Sequence, residues 1–312
     1  MIDYMREYYV QIKNNKKYIF YKTKSDIITF SALLGLLGFF VSFSDVISCI
    51  FASKDFLCKI SIGFIMVAFV SLSCFVKRAI SVLTNRRVKV IGLNNGHNVY
   101  VQYGDLFSSG EILQPAEKRI VVIAVNRCFD TIVDNDLISE KTLHGIAMNR
   151  LYDNQTYTQD SLNEVIQEQL KFQNTFVAER VCKNAKRKGN LSRYPVGTVA
   201  EVDNPNDNIL YFFLALSTFD ENLKASTNDE EYVIALLRLL QYIDVRSQGM
   251  PVVLPLIGGG LSRTNINEGD ILNEMIQFMK IKKDLLHGDV HIVIRNNLKE
   301  SISIYNLAMK GE

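Results

Sequence analysis

Tryptophan is absent from this chain of 312 residues, and proline, cysteine and histidine are scarce at five, five and four. Five cysteines cannot all pair, and Cys49, Cys58 and Cys74 fall in or beside long apolar runs. Cys128 and Cys182 lie in a part read below as cytoplasmic, where thiols stay reduced. There is no CxxC, no HExxH and no Cys/His cluster, so neither a metal site nor a resident cofactor is expected. Neither sign of charge is in excess, with 35 Lys and Arg against 33 Asp and Glu. Global charge therefore names no partner, and no nucleic acid is expected. The few histidines also narrow catalysis. His97 sits in a turn, His287 precedes Gly288, and His291 lies within a strand. His144 in "SEKTLHG" is near a candidate ligand loop but has no evident nucleophile partner, so no catalytic residue is assigned. Internal repeats and low-complexity tracts are missing too.

What the chain does have is an uneven distribution of apolar residues. "IITFSALLGLLGFFVSF" (Ile27 to Phe43) and "ISIGFIMVAFVSLSCFV" (Ile60 to Val76) contain no charge. Each makes about 26 Å of helix, against a hydrocarbon core of about 30 Å, with uncharged flanks and a snorkelling Lys59 making up the difference. Two transmembrane helices, about 27–44 and 58–76, are expected, joined by a short external loop. A cleaved signal peptide fits poorly, because the first run starts late, lacks an A-x-A-like site and is followed by a second run. Arg6, Lys13, Lys16, Lys17, Lys22 and Lys24 precede the spans, and Lys77, Arg78, Arg86, Arg87 and Lys89 follow them. Both termini are therefore placed in the cytoplasm and the short loop outside. Ser31, Gly35, Gly38 and Ser42 line one helix face, which serves packing within the hairpin or between copies. Neither span holds an ionisable residue, which disfavours a carrier.

From about Arg86 short β-rich runs alternate with helical ones. "RVKVIGL" and "HNVYVQYGDLF" flank Asn95-Gly96, a two-residue hairpin signal. "RIVVIAVN", "NILYFFLALS", "MPVVLPLI" and "VHIVIR" read as strands buried on both faces. A long helical pattern opens at "DSLNEVIQEQL" and runs to the cations Lys183, Lys186, Arg187 and Lys188 before Gly189, read as a capped C-terminus. A second helix opens with a capping box, Asn228 with Glu231, and a third follows a run of three glycines. The alternation indicates a three-layer α/β domain with a mixed sheet over 86–308, after a cytoplasmic segment 1–26 and spans over 27–78.

In open α/β sheets ligands bind beyond the carboxyl ends of the strands, and three features fall there. Gly258-Gly259-Gly260 gives a backbone that approaches a phosphate closely, or else a tight turn that is merely glycine-rich. It is neither a Walker A loop nor a GxGxxG fingerprint. In "VNRCFDTIVDND" Asn126 and Asp130 can bond a sugar or an amide, or cap their own backbone. Asp105 in "YGDLF" ends a strand, where a carboxylate accepts from an adenine amino group or serves an ordinary turn.

The order "YGDLF", "VVIAVN" and a late strand with a glycine loop resembles macro domains, which bind ADP-ribose. More closely, "VNRCFDTIVDNDLISEKTLHG", "SRYPVGTVAEV", "FFLALSTFD" and "VVLPLIGGGLSR" resemble the macro-domain effectors of Thoeris anti-phage defence, the ThsA type with an N-terminal membrane hairpin. That resemblance covers roughly residues 86–308. It implies a macro-like nucleotide-binding domain that senses an ADP-ribose-type signal, expected as a histidine conjugate, made by a partner TIR-domain protein. It further implies homo-oligomerisation on activation, disruption of the lipid bilayer, and abortive infection. By position, Asp105 with Leu106 would hold the adenine end. Gly258, Gly259, Gly260 and Leu261 would cradle the diphosphate, with Ser262 and Arg263 nearby. Asn126, Phe129, Asp130 and Thr131 would line the distal ribose, and Thr218 and Phe219 the wall. Hydrolytic macro domains carry a glycine-rich loop soon after their asparagine strand; here that place reads "RCFDTIVDN", which favours a sensor over an enzyme. The alternative is a membrane-tethered ADP-ribosyl or nucleotide hydrolase using Asn126, Asp130 or His144.

Overall fold

The computed structural model describes residues 2–37, 56–153, 156–172, 178–259 and 267–311. They form two compact units, Met1–Arg86 with Lys299–Glu312, and Arg87–Leu298. In the first, α1 (Ile2–Asn14) and α2 (Lys16–Leu37) are broken only at Asn15, and α3 runs from Phe56 to Thr84. Asn15, Ile19 and Thr23 are buried at a spacing of four, the signature of one packed helix stripe, while Lys16, Phe20 and Lys24 point outward. Asp26 of α2 accepts both forks of the Arg78 guanidinium of α3, at 2.6 and 2.5 Å.

Gly63–Thr84 of α3 is long and apolar enough to cross a membrane, and only 11% of it is buried. Phe64 is 73% exposed and Phe69 69%, unlike the core helix of a water-soluble protein. Among the described residues it is the one helix that meets this test. The sequence predicts two spans. The first is described only as far as Leu37, so Gly38 to Phe43, with Ser42 of the small-residue face, lie outside the described residues.

The second unit is built on a mixed sheet. Its strands are β1 (Arg87–Gly92), β2 (Asn98–Tyr103), β3 (Arg119–Asn126), β6 (Val199–Asn204), β7 (Ile209–Phe219), β8 (Ala225–Ser226), β9 (Val252–Leu254) and β10 (Val290–Ile294). They run β1-β2-β10-β9-β3-β7-β6, with β8 on β7. The five inner strands from β2 to β7 are parallel, while β1, β6 and β8 are antiparallel to their neighbours. Asn95-Gly96 turns the β1–β2 hairpin as the sequence predicts, with Gly96 at φ +88°.

Strand parity divides the core. Val121, Ile123 and Val125 of β3 and Tyr211, Phe213 and Ala215 of β7 share a cluster with Ala147, Met148 and Leu151 of α4 (Leu143–Asp153). Leu162, Ile166 and Leu170 of α5 (Gln159–Phe172) complete it. The alternate residues face the other way, where Phe212 meets Tyr242 of α6 (Asp229–Arg246) edge to face at 5.2 Å. Helices thus cover both faces of the sheet, and the expected capping box closes at Asn228 and Glu231. The helix α7 (Glu268–Ile281) connects β9 to β10.

One expectation changes. The helix read from residue 160 to the cations near 188 ends at Phe172, which is 87% exposed where the apolar stripe lapses. Beyond it a two-residue strand β4 (Glu179–Arg180) pairs with β5 (Ser192–Arg193), so the cation cluster lies in a loop. The second unit runs to Leu298, and Lys299–Glu312 groups with the first. Ser303 Oγ donates to Asn15 Oδ1 at 2.5 Å, and Asn14 Nδ2 to the Glu300 carbonyl at 2.6 Å. The Tyr305 hydroxyl, leading α8 (Ile304–Gly311), donates to the Asn85 carbonyl at 2.5 Å. These bonds, with Ile302 and Ile304 buried, fix the last segment to the first unit.

Burial pushes the His144 and His291 rings down to about 4, so both are neutral in the native chain near pH 7. The unfolded chain protonates them below its ordinary value of 6.5, so their contribution is intact above 6.5 and is lost as pH falls from there toward 4. Lowering the pH from 7.5 to 5 should cost about 2 kcal/mol per histidine. Denaturant unfolding of the full chain in detergent, followed by tyrosine fluorescence, checks this. His291→Gln should remove about half of the dependence.

Candidate functional site

Five parallel strands deliver five chain turns to one rim. β3 and β9 are neighbours, yet the chain after β3 leads to β6 and β7 on one side and that after β9 to β10 on the other. Such a reversal of strand order is the switch point at which open α/β sheets receive ligands, in a crevice beyond the carboxyl ends of the strands. The register pairs Val121 with Val253. Asn126 ends β3 and Gly258 lies four residues beyond β9, each on the chain leaving one of these two strands. Asp105 follows β2, three strand spacings from β3, or roughly 14 Å.

Each residue expected at the site has a definite place. Asp105 is exposed, and its Oδ1 accepts from the Phe107 amide at 3.1 Å, while Leu106 is buried in the core. A β-bulge turns the end of β3 between Val125 and Asn126. Asn126 is buried, and its Oδ1 accepts from Cys128 N at 3.0 Å. Its Nδ2 helps to hold the Asp130 carboxyl down, yet meets no acceptor at hydrogen-bond geometry among the described residues. Phe129 takes φ +51°, rare for a bulky residue, and packs edge-on against Tyr194 at 5.6 Å. The Thr131 carbonyl accepts from Tyr152 Oη at 2.5 Å. Thr218 Oγ1 lies 3.4 Å from Arg127 Nη1, and Phe219 packs against Leu137, Ile138 and Leu223. Gly258 is buried with φ +86°, a backbone that L side chains avoid. At Gly259 an added Cβ would meet only ordinary contacts, so the conformational demand falls on the first glycine. Gly260, Leu261, Ser262 and Arg263 lie outside the described residues.

Asp130 departs furthest from a free ligand contact. It is 1% exposed and its Oδ2 accepts from Lys186 Nζ at 2.7 Å, while Oδ1 accepts from Asn190 N at 2.6 Å. Burial pushes its carboxyl above the ordinary value, against the opposing pull of Lys186 and the Asn190 amide. Gly189 sits so close that a Cβ there would come within 2.2 Å of Asp130 Oδ1. The Asn190 side chain donates to the carbonyls of Cys128 and Phe129 at 3.2 and 3.1 Å. The segment Lys186–Asn190 therefore clamps the loop after β3. Sequence reasoning misses both residues, because Lys186 reads as one of four cations capping a helix and Asn190 carries no signal of its own. Burial also raises the Cys128 thiol, which keeps it protonated and inert.

The crevice, the bulged asparagine strand and the left-handed glycine define a mixed α/β nucleotide-type rim. The family described as "Thoeris protein ThsA, Macro domain" matches residues 99–295, and the chain belongs to it. The chain is 28% identical over 276 residues to the Thoeris protein ThsA of Bacillus amyloliquefaciens (strain Y2), covering 86% of this chain and 82% of that protein. Among solved structures it is similar to the Oceanobacillus iheyensis macrodomain with ADP (12% identity, TM-score 0.40, 72% of this chain and 95% of that one). It is likewise similar to the same macrodomain with MES bound (13% identity, TM-score 0.40, with equal coverage).

The clamp makes a stability prediction. Lys186→Met strands a buried carboxylate and should cost about 3–5 kcal/mol, whereas adding Asp130→Asn should restore a large part of it. Denaturant titrations of the two variants in detergent measure both numbers.

Proposed function

We propose that this protein is a membrane effector of Thoeris defence whose macro domain senses an ADP-ribose-type nucleotide without consuming it. The observation that carries the reading is the pairing of the switch-point rim with α3. One holds a buried asparagine at the end of β3 and a left-handed glycine just past the neighbouring β9, and the other is apolar, membrane-length and uncovered. In this reading Asp105 and Leu106 hold the adenine end and Gly258 to Leu261 the diphosphate, with Ser262 and Arg263 beside it. Asn126, Phe129 and Thr131 shape the distal ribose pocket, with Asp130 holding that loop in place, and Thr218 and Phe219 form the wall.

The absence of turnover is supported by the groups a hydrolase would need. Asp130 has both oxygens engaged, and the His144 ring, pushed down to about 4 by burial, bonds to the Asp130 backbone. The signal, a histidine conjugate of ADP-ribose, is made by a partner TIR-domain protein. Binding drives oligomerisation, and a hairpin of two spans, α3 and the run from Ile27, disrupts the inner membrane. Both termini are cytoplasmic. Persistence of the ligand suits a switch, because a ligand shifts a population only while it is bound.

Calorimetry of the full chain in detergent with ADP-ribose and its histidine conjugate, followed by analysis of the recovered ligand, tests the reading. The expected result is binding with the ligand returned intact; conversion of the ligand would instead establish the hydrolase. Asp105→Ala and Gly258→Val should each weaken binding by about tenfold or more, and abolish growth arrest in cells carrying the TIR partner. Growth arrest that survives loss of binding would sink the gating idea.

A further inference from the structure

Beneath the exposed Asp105 lies a buried polar network that the nucleotide reading leaves unused. Glu111 is 4% exposed and Gln102 1%. Arg87, the first residue of β1, donates Nε to Gln102 Oε1 at 2.6 Å and Nη2 to the Glu111 carbonyl at 2.7 Å. The Gly110 carbonyl is 3.3 Å from the same nitrogen. Arginine only donates, so Gln102 must present its oxygen to Arg87 and its amide nitrogen to Glu111. That nitrogen indeed donates to the Glu111 carbonyl at 2.8 Å and to Oε2 at 2.5 Å. Glu111 Oε1 accepts from the backbone N–H of Asp105 at 3.2 Å. Both carboxylate oxygens therefore accept from this network. His291 Nδ1 lies 3.1 Å from the same Gln102 oxygen and must donate to it, which fixes the neutral ring with its proton on Nδ1.

Two further observations give the network a direction. A Cβ at Gly104 would come within 2.1 Å of Glu111 Oε1, so the glycine is what lets the carboxylate reach the Asp105 amide. Arg87 follows the end of α3 at Thr84 by three residues, and the Asn85 carbonyl between them is held by Tyr305. The chain that leaves the membrane-length helix thus enters, at its first β residue, the network supporting the rim.

We propose that Glu111 is a positioning residue for Asp105. Gln102 and Arg87 hold its carboxylate in the one place from which it can accept from the Asp105 amide. This rests on the nucleotide reading above. A ligand that binds the Asp105 turn in that arrangement stabilises it further.

The test uses the full chain in phospholipid nanodiscs with ADP-ribose as the probe. Calorimetry reads affinity, and a thermal scan reads the melting temperature. In the wild type ADP-ribose should bind. Glu111→Gln sets an amide N–H₂ against one of two donors and should weaken binding by about tenfold or more at an unchanged melting temperature, with Gly104→Ala doing the same by displacing the carboxylate. A purely structural role would lower affinity and melting temperature together in both variants, and that result overturns the proposal. Wild-type affinity in both Glu111→Gln and Gly104→Ala removes the positioning role. Should Glu111→Gln fail to fold, Gly104→Ala alone decides the point. Failure of the wild type to bind ADP-ribose is a separate outcome, read without any variant, and it overturns the nucleotide reading together with this one.

Discussion

Parallel pairing on both edges of β3 is the constraint on which the second unit depends. The strand is buried on both faces, so it is apolar from Ile120 to Val125 and polar only at its two ends, Arg119 and Asn126. With β9 on one side and β7 on the other, its register is fixed twice, through Val121 to Val253 and through Val121 to Tyr211. A one-residue slip would exchange the faces packed against α4, α5 and α6. The position of Asn126 at the rim therefore follows from core packing and needs no special device in the loops.

The loops still have to be held, and here buried charge does the holding. Asp130 is drawn beneath the surface with Lys186, and Glu111 is drawn under Asp105 with Gln102 and Arg87. Both arrangements use carboxylates whose oxygens are wholly engaged, one with a cation and one with amide donors. A partly satisfied network would be worse than an apolar filling, so each tolerates few substitutions. Two glycines, Gly189 and Gly104, stand where any side chain would collide with these carboxylates. The rim thus rests on two rigid supports, one beneath each end of the crevice.

Much of this was legible in the sequence because it is local or periodic. The β1–β2 hairpin, the capping box of α6 and the strands of the parallel core follow from two-residue turns, cap spacing and apolar runs. Asp105, Asn126 and Phe219 fall at or just beyond strand ends, since strand order carries them there. Long-range pairing was not legible. Lys186 is separated from Asp130 by 56 residues and looked like one cation among four at a helix end. Nothing in the local pattern marks which lysine turns inward. Glu111 carries no signal of its own in the sequence, because its place depends on Gln102 across a turn and on the space left at Gly104. The grouping of the last residues with the helices was not legible for the same reason: Tyr305 and Ser303 gain their partners from residues more than two hundred positions earlier.

The bond between Tyr305 and the Asn85 carbonyl has an architectural meaning of its own. It brings the point where the chain leaves the helices, just before Arg87, beside the point where it returns, just after Leu298. The helical unit is therefore a closed frame, and everything from Arg87 to Leu298 is an insert spliced into it. A frame of this kind accepts any insert whose two ends meet across the same short gap. The helical frame and its insert are thus separately replaceable, and evolution can exchange one insert for another while the frame keeps its own contacts.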